Sequence, residues 1–217
     1  MLETLEITHG ESIDAAVIWL HGLGADGHDF GPIVDELELP RAIRFVFPHA
    51  PVRPVTINGG QRMRAWYDIS SLGPGGPEDE AGIRASAAEI GALIDREQSR
   101  GLESARIVLA GFSQGGAVAL HTALREPRRL AGVLALSTYL PLADTLHTER
   151  AIANRHTPIL LAHGRLDPVI PFRLAEASRD RLLAEGYAVE WRSYEMPHSV
   201  CLEEIQDIAD WLGRLSW

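Results

Sequence analysis

Residues 109–120, Leu-Ala-Gly-Phe-Ser-Gln-Gly-Gly-Ala-Val-Ala-Leu, decide how the chain folds. Within them, Gly111-Phe112-Ser113-Gln114-Gly115 is a G-x-S-x-G pentapeptide. An apolar run, 107–110, leads in, and a run of small, helix-forming residues, 116–124, leads out. Strand, sharp turn and helix together are the setting in which this pentapeptide becomes a nucleophile elbow. The serine hydroxyl then stands clear at a strand end, above a helix N-terminus that favours negative charge. Glycine suits positions 111 and 115 because side chains in so tight a turn would strike neighbouring backbone. A turn that only packs a helix on a sheet would use the same small residues, so partners must be sought elsewhere.

Working outward, strand-like and helix-like segments alternate. Residues 15–20, 43–47, 107–110, 132–136 and 159–162 are apolar runs of strand length, as expected of strands buried on both faces. Residues 189–194 and 2–7 alternate apolar with polar, as edge strands do. Helical spacing runs through 79–100 (Ile83, Ala87, Ile90, Ile94), 172–185, which stops at Gly186, and 202–215. This order predicts an α/β fold, a mostly parallel sheet with helices on both faces. No repeat or linker divides it, so residues 1–217 read as one domain. Residues 56–77 fit neither pattern. They are rich in Gly and Pro yet carry Ile57, Met63, Trp66, Tyr67, Ile69 and Leu72. Such a segment either roofs a pocket or makes a surface excursion pinned by Trp66 and Tyr67.

Composition narrows the function. The 217 residues are 46% hydrophobic and 23% charged, enough for a sizeable core. A formal net charge of −10 argues against nucleic acid, which is bound through cations, and against stable attachment to anionic membranes. No apolar run reaches membrane-spanning length, and the N-terminal residues lack a signal pattern. The single cysteine, Cys201, excludes an intrachain disulfide and reads as a small packing residue. These features point to the cytoplasm. No P-loop, paired-cysteine zinc site or H-E-x-x-H occurs, so neither metal nor cofactor is expected. Gly22-x-Gly24-x-x-Gly27 meets the dinucleotide spacing, but the next strand ends Phe47-Pro48-His49 without the acid that would hold a ribose.

A serine needs a base, and the base an orienting acid, in the chain order Ser, acid, His. Downstream stand His121, His147, His156, His163 and His198. His121 lies on the helix after the elbow, His156 in a polar loop, and His163 ahead of the acids of its region. His198 follows the last strand, on the carboxyl-end rim where ligands collect in open α/β sheets. Asp167 follows the penultimate strand, while Asp144, its competitor, resembles a helix cap. Backbone N–H groups of Gln114 and of the loop 21–27, through Leu23, would receive an oxyanion.

Blocks along nearly the whole chain carry a resemblance: 19–27 (WLHGLGADG), 47–51 (FPHAP), 64–69 (RAWYDI), 111–120 (GFSQGGAVAL), 136–141 (LSTYLP), 163–171 (HGRLDPVIP) and 194–200 (YEMPHSV). The chain resembles the small α/β-hydrolase carboxylesterases grouped with acyl-protein thioesterases and lysophospholipases, most of all their bacterial carboxylesterase branch. The resemblance implies an α/β-hydrolase without a large cap domain. It implies a catalytic triad of Ser113, Asp167 and His198, with Leu23 and Gln114 as oxyanion donors. It further implies an acyl groove near Leu72, flanked by Trp66 and Met63, and in many members a homodimer. The expected reaction is cofactor-free hydrolysis of short- to medium-chain acyl esters. Thioesters or lysophospholipids are the alternative substrates, and a non-catalytic binding protein on this fold is the distant one.

Overall fold

A computed structural model describes residues 1–39, 41–71 and 76–217. In chain order the elements are β1 (Thr4–His9), β2 (Ala15–Leu20), the one-turn α1 (Ile33–Glu36), β3 (Ile43–Pro48), β4 (Val52–Val55), β5 (Gln61–Arg64) and α2 (Glu80–Ser99). They continue with β6 (Ile107–Phe112), α3 (Gln114–Arg125), β7 (Gly132–Leu136), the short α4 (Leu146–Glu149), β8 (Ile159–Gly164), α5 (Phe172–Ala184), β9 (Val189–Tyr194) and α6 (Leu202–Arg214). Seven strands form one sheet in the order β1-β3-β2-β6-β7-β8-β9. Only β1 runs antiparallel to its neighbour; the other pairings are parallel. This is the mostly parallel α/β architecture expected from the alternation, and the α/β-hydrolase fold that the resemblance implies.

The unbroken apolar runs have a simple cause. Along β2, Ala16, Ile18 and Leu20 enter the core shared with α2 and α3. Ala15, Val17 and Trp19 enter the opposite core, with α1 and α6. Successive side chains point to opposite faces, so a strand covered on both sides must be apolar throughout. Helix limits follow local signals. Asp79 caps α2, its Oδ1 accepting the Gly82 N–H at 2.9 Å. α5 ends at Ala184, two residues before Gly186, which takes a φ of +84°.

The segment 56–77 departs from the irregular reading. β4 and β5, which begin just before it and run into it, pair as an antiparallel hairpin from Val52↔Arg64 to Val55↔Gln61. Its tip turns through Thr56–Asn58 and Gly59, whose φ is +66°. The sequence hides this ribbon because Val55 alone of its eight strand residues is buried, and Pro54 lies inside it. Without a covered face there is no apolar alternation to read. Leu72 lies outside the described residues. Among the described residues no helix is long and apolar enough to cross a membrane.

Parallel strands have one consequence for chemistry. The loops after β2, β6, β7, β8 and β9 all leave the same rim of the sheet. Residues some 180 positions apart can therefore meet there.

Candidate active site

At the end of β6 the chain makes the expected elbow. Ser113 has φ +54° and ψ −122°, a conformation non-glycine residues rarely hold. The surroundings enforce it. Ser113 N–H donates to Leu136 O at 2.8 Å, and its carbonyl accepts the Thr138 hydroxyl at 2.6 Å and the Ala117 N–H at 3.1 Å. A Cβ on Gly111 would overlap the Gly115 carbonyl, and one on Gly115 would overlap the Leu20 carbonyl. Both glycines are thus required by backbone proximity. Ser113 keeps 8% of its surface exposed, and its hydroxyl makes no hydrogen bond among the described residues.

Asp167 and His198 meet on the same rim. His198 Nδ1 lies 2.7 Å from Asp167 Oδ2. The other carboxylate oxygen accepts N–H groups of Val169 (2.8 Å) and Ile170 (2.9 Å), in a side chain wholly removed from solvent. With Nδ1–H given to a carboxylate, the imidazole keeps its Nε2 lone pair for another proton. The Phe112 ring, next to the elbow serine, packs against His198 at 4.7 Å between centroids, tilted by 47°. Asp144 is exposed, apart from this pair.

His163 is a member of this cluster that chain order set aside. Its Nε2–H donates to Ile170 O at 3.0 Å and lies 3.4 Å from Asp167 Oδ2. Burial lowers its pKa, so it braces the acid loop as a neutral ring. Its signal was its place, four residues before Asp167 at the end of β8.

The loop after β2 faces the elbow. Leu23 N–H has no partner among the described residues. Gln114 N–H precedes the first intrahelical bond of α3, Ala117 to Ser113, and is one of the orphan donors of that helix start. The loop is braced from several sides. Gly24 N–H donates to Arg64 O at 2.9 Å, and Gly27 N–H to His49 Nδ1 at 3.0 Å. His21 donates through Nδ1 to the Gly22 carbonyl (2.7 Å) and accepts the Ala50 N–H at Nε2 (3.1 Å). That pattern requires a neutral ring, and burial holds its pKa down to about 4.

A family profile described as Phospholipase/Carboxylesterase matches residues 4–216. The chain belongs to that family. It is a serine hydrolase of the α/β fold. Acyl-protein thioesterase 1 of Neurospora crassa is 41% identical over 209 residues, spanning 91% of this chain and 85% of that protein. Acyl-protein thioesterase 1 of Yarrowia lipolytica is 40% identical over 205 residues, spanning 91% and 90%. Among solved structures, Zea mays acyl-protein thioesterase 2 superposes with a TM-score of 0.87 at 31% identity, covering 98% of each chain. Arabidopsis thaliana SOBER1 superposes with a TM-score of 0.89, also at 31% identity, over 93% of this chain and 98% of that one. The sequence relatives are fungal thioesterases, and the expected bacterial carboxylesterase branch finds no support in them.

In this phospholipase/carboxylesterase member the expected substrate contacts divide. Trp66 is 0% exposed and cannot line a groove. Its indole N–H donates to the His21 carbonyl (2.9 Å), its backbone N–H to Gln114 Oε1 (2.8 Å), and its carbonyl accepts the Ser86 hydroxyl. Gln114 Nε2 then donates to Tyr67 O at 2.7 Å. Trp66 is therefore a strut between the loop 21–27, the elbow and the strap that follows β5. Met63 is half-buried with its sulfur beside Gly24, at the edge of the site. A cavity of about 230 Å³ opens beside the acid loop, walled by Tyr67, Ile69, Tyr139, Leu140, Ile170 and Leu174. Ser113, Asp167 and His198 are not among its lining residues; Ile170, hydrogen-bonded to Asp167, connects the two.

Proposed function

We propose that this enzyme hydrolyses acyl thioesters, and acyl esters more slowly, through an acyl-enzyme on Ser113. The observation that carries the reading is the 2.7 Å contact of Asp167 with His198, on the rim where Ser113 is held in its strained turn. In this mechanism His198 Nε2 takes the Ser113 proton as Oγ attacks the acyl carbonyl. Leu23 and Gln114 N–H groups receive the oxyanion, and Asp167 stabilises the imidazolium. Collapse expels the thiolate or alkoxide, which takes the proton back from Nε2. Water then repeats the sequence and frees the acid. No cofactor enters any step.

Thioesters are favoured by the fungal relatives, each named an acyl-protein thioesterase. The cavity walled by Tyr67, Ile69, Leu140 and Leu174 suits an acyl chain. Ser113→Ala is expected to lower turnover of a thioester substrate by about 10⁴-fold or more while the protein stays folded. Near-normal turnover would remove Ser113 from the mechanism. The substrate class is decided by kcat/KM on an S-acyl peptide and an O-acyl ester of equal chain length. A higher value for the ester would return the enzyme to the short-chain carboxylesterases.

A further inference from the structure

Beside the oxyanion loop, outside the triad, Asp26, His28 and His49 converge. One ligand atom of each lies within 4.8 Å of the others. His28 Nδ1 is 3.0 Å from Asp26 Oδ1, and the two imidazole centroids are 5.2 Å apart. Two imidazoles and a carboxylate are the donor set of a borderline divalent cation such as Zn²⁺ or Co²⁺. Tetrahedral ligation at about 2.0–2.1 Å brings donor atoms to roughly 3.4 Å from one another. The contraction falls on the exposed His28 and half-exposed Asp26 side chains, and the metal would replace the bond between His28 Nδ1 and Asp26 Oδ1, while that oxygen also accepts the His28 backbone N–H at 2.8 Å.

We propose that Asp26, His28 and His49 form an inhibitory site for a divalent transition-metal ion, and that its occupancy releases the oxyanion loop. The coupling follows from the chemistry of His49. Its Nδ1 accepts the Gly27 N–H at 3.0 Å, so in the metal-free protein the ring proton sits on Nε2. If the metal takes the Nδ1 lone pair, Gly27 loses its acceptor directly. If it takes Nε2, the proton moves to Nδ1, which becomes a donor facing a donor. Either way metal ligation and the Gly27 bond exclude each other. Gly27 is buried, packed so that even a Cβ would meet the Phe47 carbonyl, and a buried N–H that loses its acceptor is costly. Four residues before it stands Leu23, the proposed oxyanion donor. For its effect on rate the inference rests on that reading; for binding it does not.

The test uses Zn²⁺ in a non-chelating buffer, with calorimetry for binding, the Gly27 amide ¹H–¹⁵N signal for the loop, and thioester hydrolysis for rate. Zn²⁺ is expected to bind, move the Gly27 signal and lower the rate, with recovery on adding EDTA. His28→Asn alters an exposed side chain outside the catalytic machinery. It should raise the inhibiting Zn²⁺ concentration at least tenfold and keep the metal-free rate within twofold. Equal inhibition of the wild type, His28→Asn and Asp26→Asn would place the metal elsewhere, His198 included, and overturn the site. Binding that leaves the Gly27 signal unmoved would overturn the coupling. Should the metal-free wild type hydrolyse no ester or thioester, the proposed function fails, while calorimetry and the Gly27 signal still decide the site.

Discussion

The two sides of the site are built differently. On the chemical side, Ser113, Asp167 and His198 stand on loops leaving β6, β8 and β9, and backbone contacts at that rim hold the first two: Leu136 O at the end of β7, Gly115 in α3, and the Val169 and Ile170 N–H groups of the acid's own loop. On the binding side, the loop 21–27 and the strap 65–69 are tied by side chains: Gln114, His49, Ser86 and Asp79 from elsewhere in the chain, and His21 from the loop itself to Ala50. The chemical side inherits its geometry from the sheet. The binding side depends on individual hydrogen bonds, each of which one substitution can remove. Damage on the first side should therefore appear in kcat, and damage on the second in stability and acyl-chain preference.

The sharpest test of that division is Asp167→Asn. Asparagine still accepts from Val169 and Ile170 but offers His198 no charge, and it can reverse the tautomer. We expect kcat to fall about 10⁴-fold, the size seen when such an acid is neutralised in the serine-protease template. The thermal midpoint should move little. A loss below about tenfold would mean that Asp167 serves only its own loop.

Gln114→Leu probes the other side. Leucine keeps the volume and the backbone N–H but abandons Trp66 N–H and Tyr67 O, both buried. Each orphaned group costs about 1–3 kcal/mol, so stability should fall by roughly 2–6 kcal/mol in urea unfolding. Tyr67 walls the cavity proposed to hold the acyl chain, and its hydroxyl pairs with Tyr139 at 2.7 Å. Released, it should weaken the preference for longer acyl chains more than the rate on acetyl substrates. Unaltered stability together with an unaltered chain-length profile would erase the contrast between the sides.

The same contrast explains what the sequence disclosed. Strands covered on both faces write themselves as apolar runs, and β2, β3, β6, β7 and β8 were legible for that reason. Parallel strands send their carboxyl ends to one rim, so chain order was enough to place Ser113, Asp167 and His198 there, and Asp167 and His198 meet at 2.7 Å. The hairpin was not legible, because its exposed residues follow no alternation. Nor was the Gln114 clamp, whose partners lie 47 and 48 positions away at backbone atoms that no residue type marks. Trp66 was misjudged because an indole in a glycine-rich loop reads as a ligand contact until its burial is known. His49 joins Asp26 and His28 only through the pairing of β2 with β3.

The chemical side has one weak point, and pH should expose it. Glu204, in the first turn of α6 just beyond the His198 loop, is 0% exposed, and no side chain among the described residues pairs with either carboxyl oxygen. Burial pushes its pKa from the ordinary 4.5 up to about 8. The native state thus keeps a proton that the unfolded chain has released. Its stabilising contribution is complete below about pH 4.5 and drains away as pH rises towards 8. Buried His21 and His121, lowered to about 4 and about 3, work in the opposite sense. Their contribution is complete above the ordinary 6.5 and is lost as pH falls below it. Of these three groups, only Glu204 titrates between pH 6.5 and 8. One proton is worth about 1.4 kcal/mol per pH unit, so the wild type should lose about 2 kcal/mol across that interval. Glu204→Gln carries no proton to lose, so its stability should stay level there, opening a gap of roughly 4–8 °C in Tm at pH 8. If the two proteins instead run parallel from pH 6.5 to 8, the native carboxyl is already ionised, and α6 does not strain the rim that carries His198.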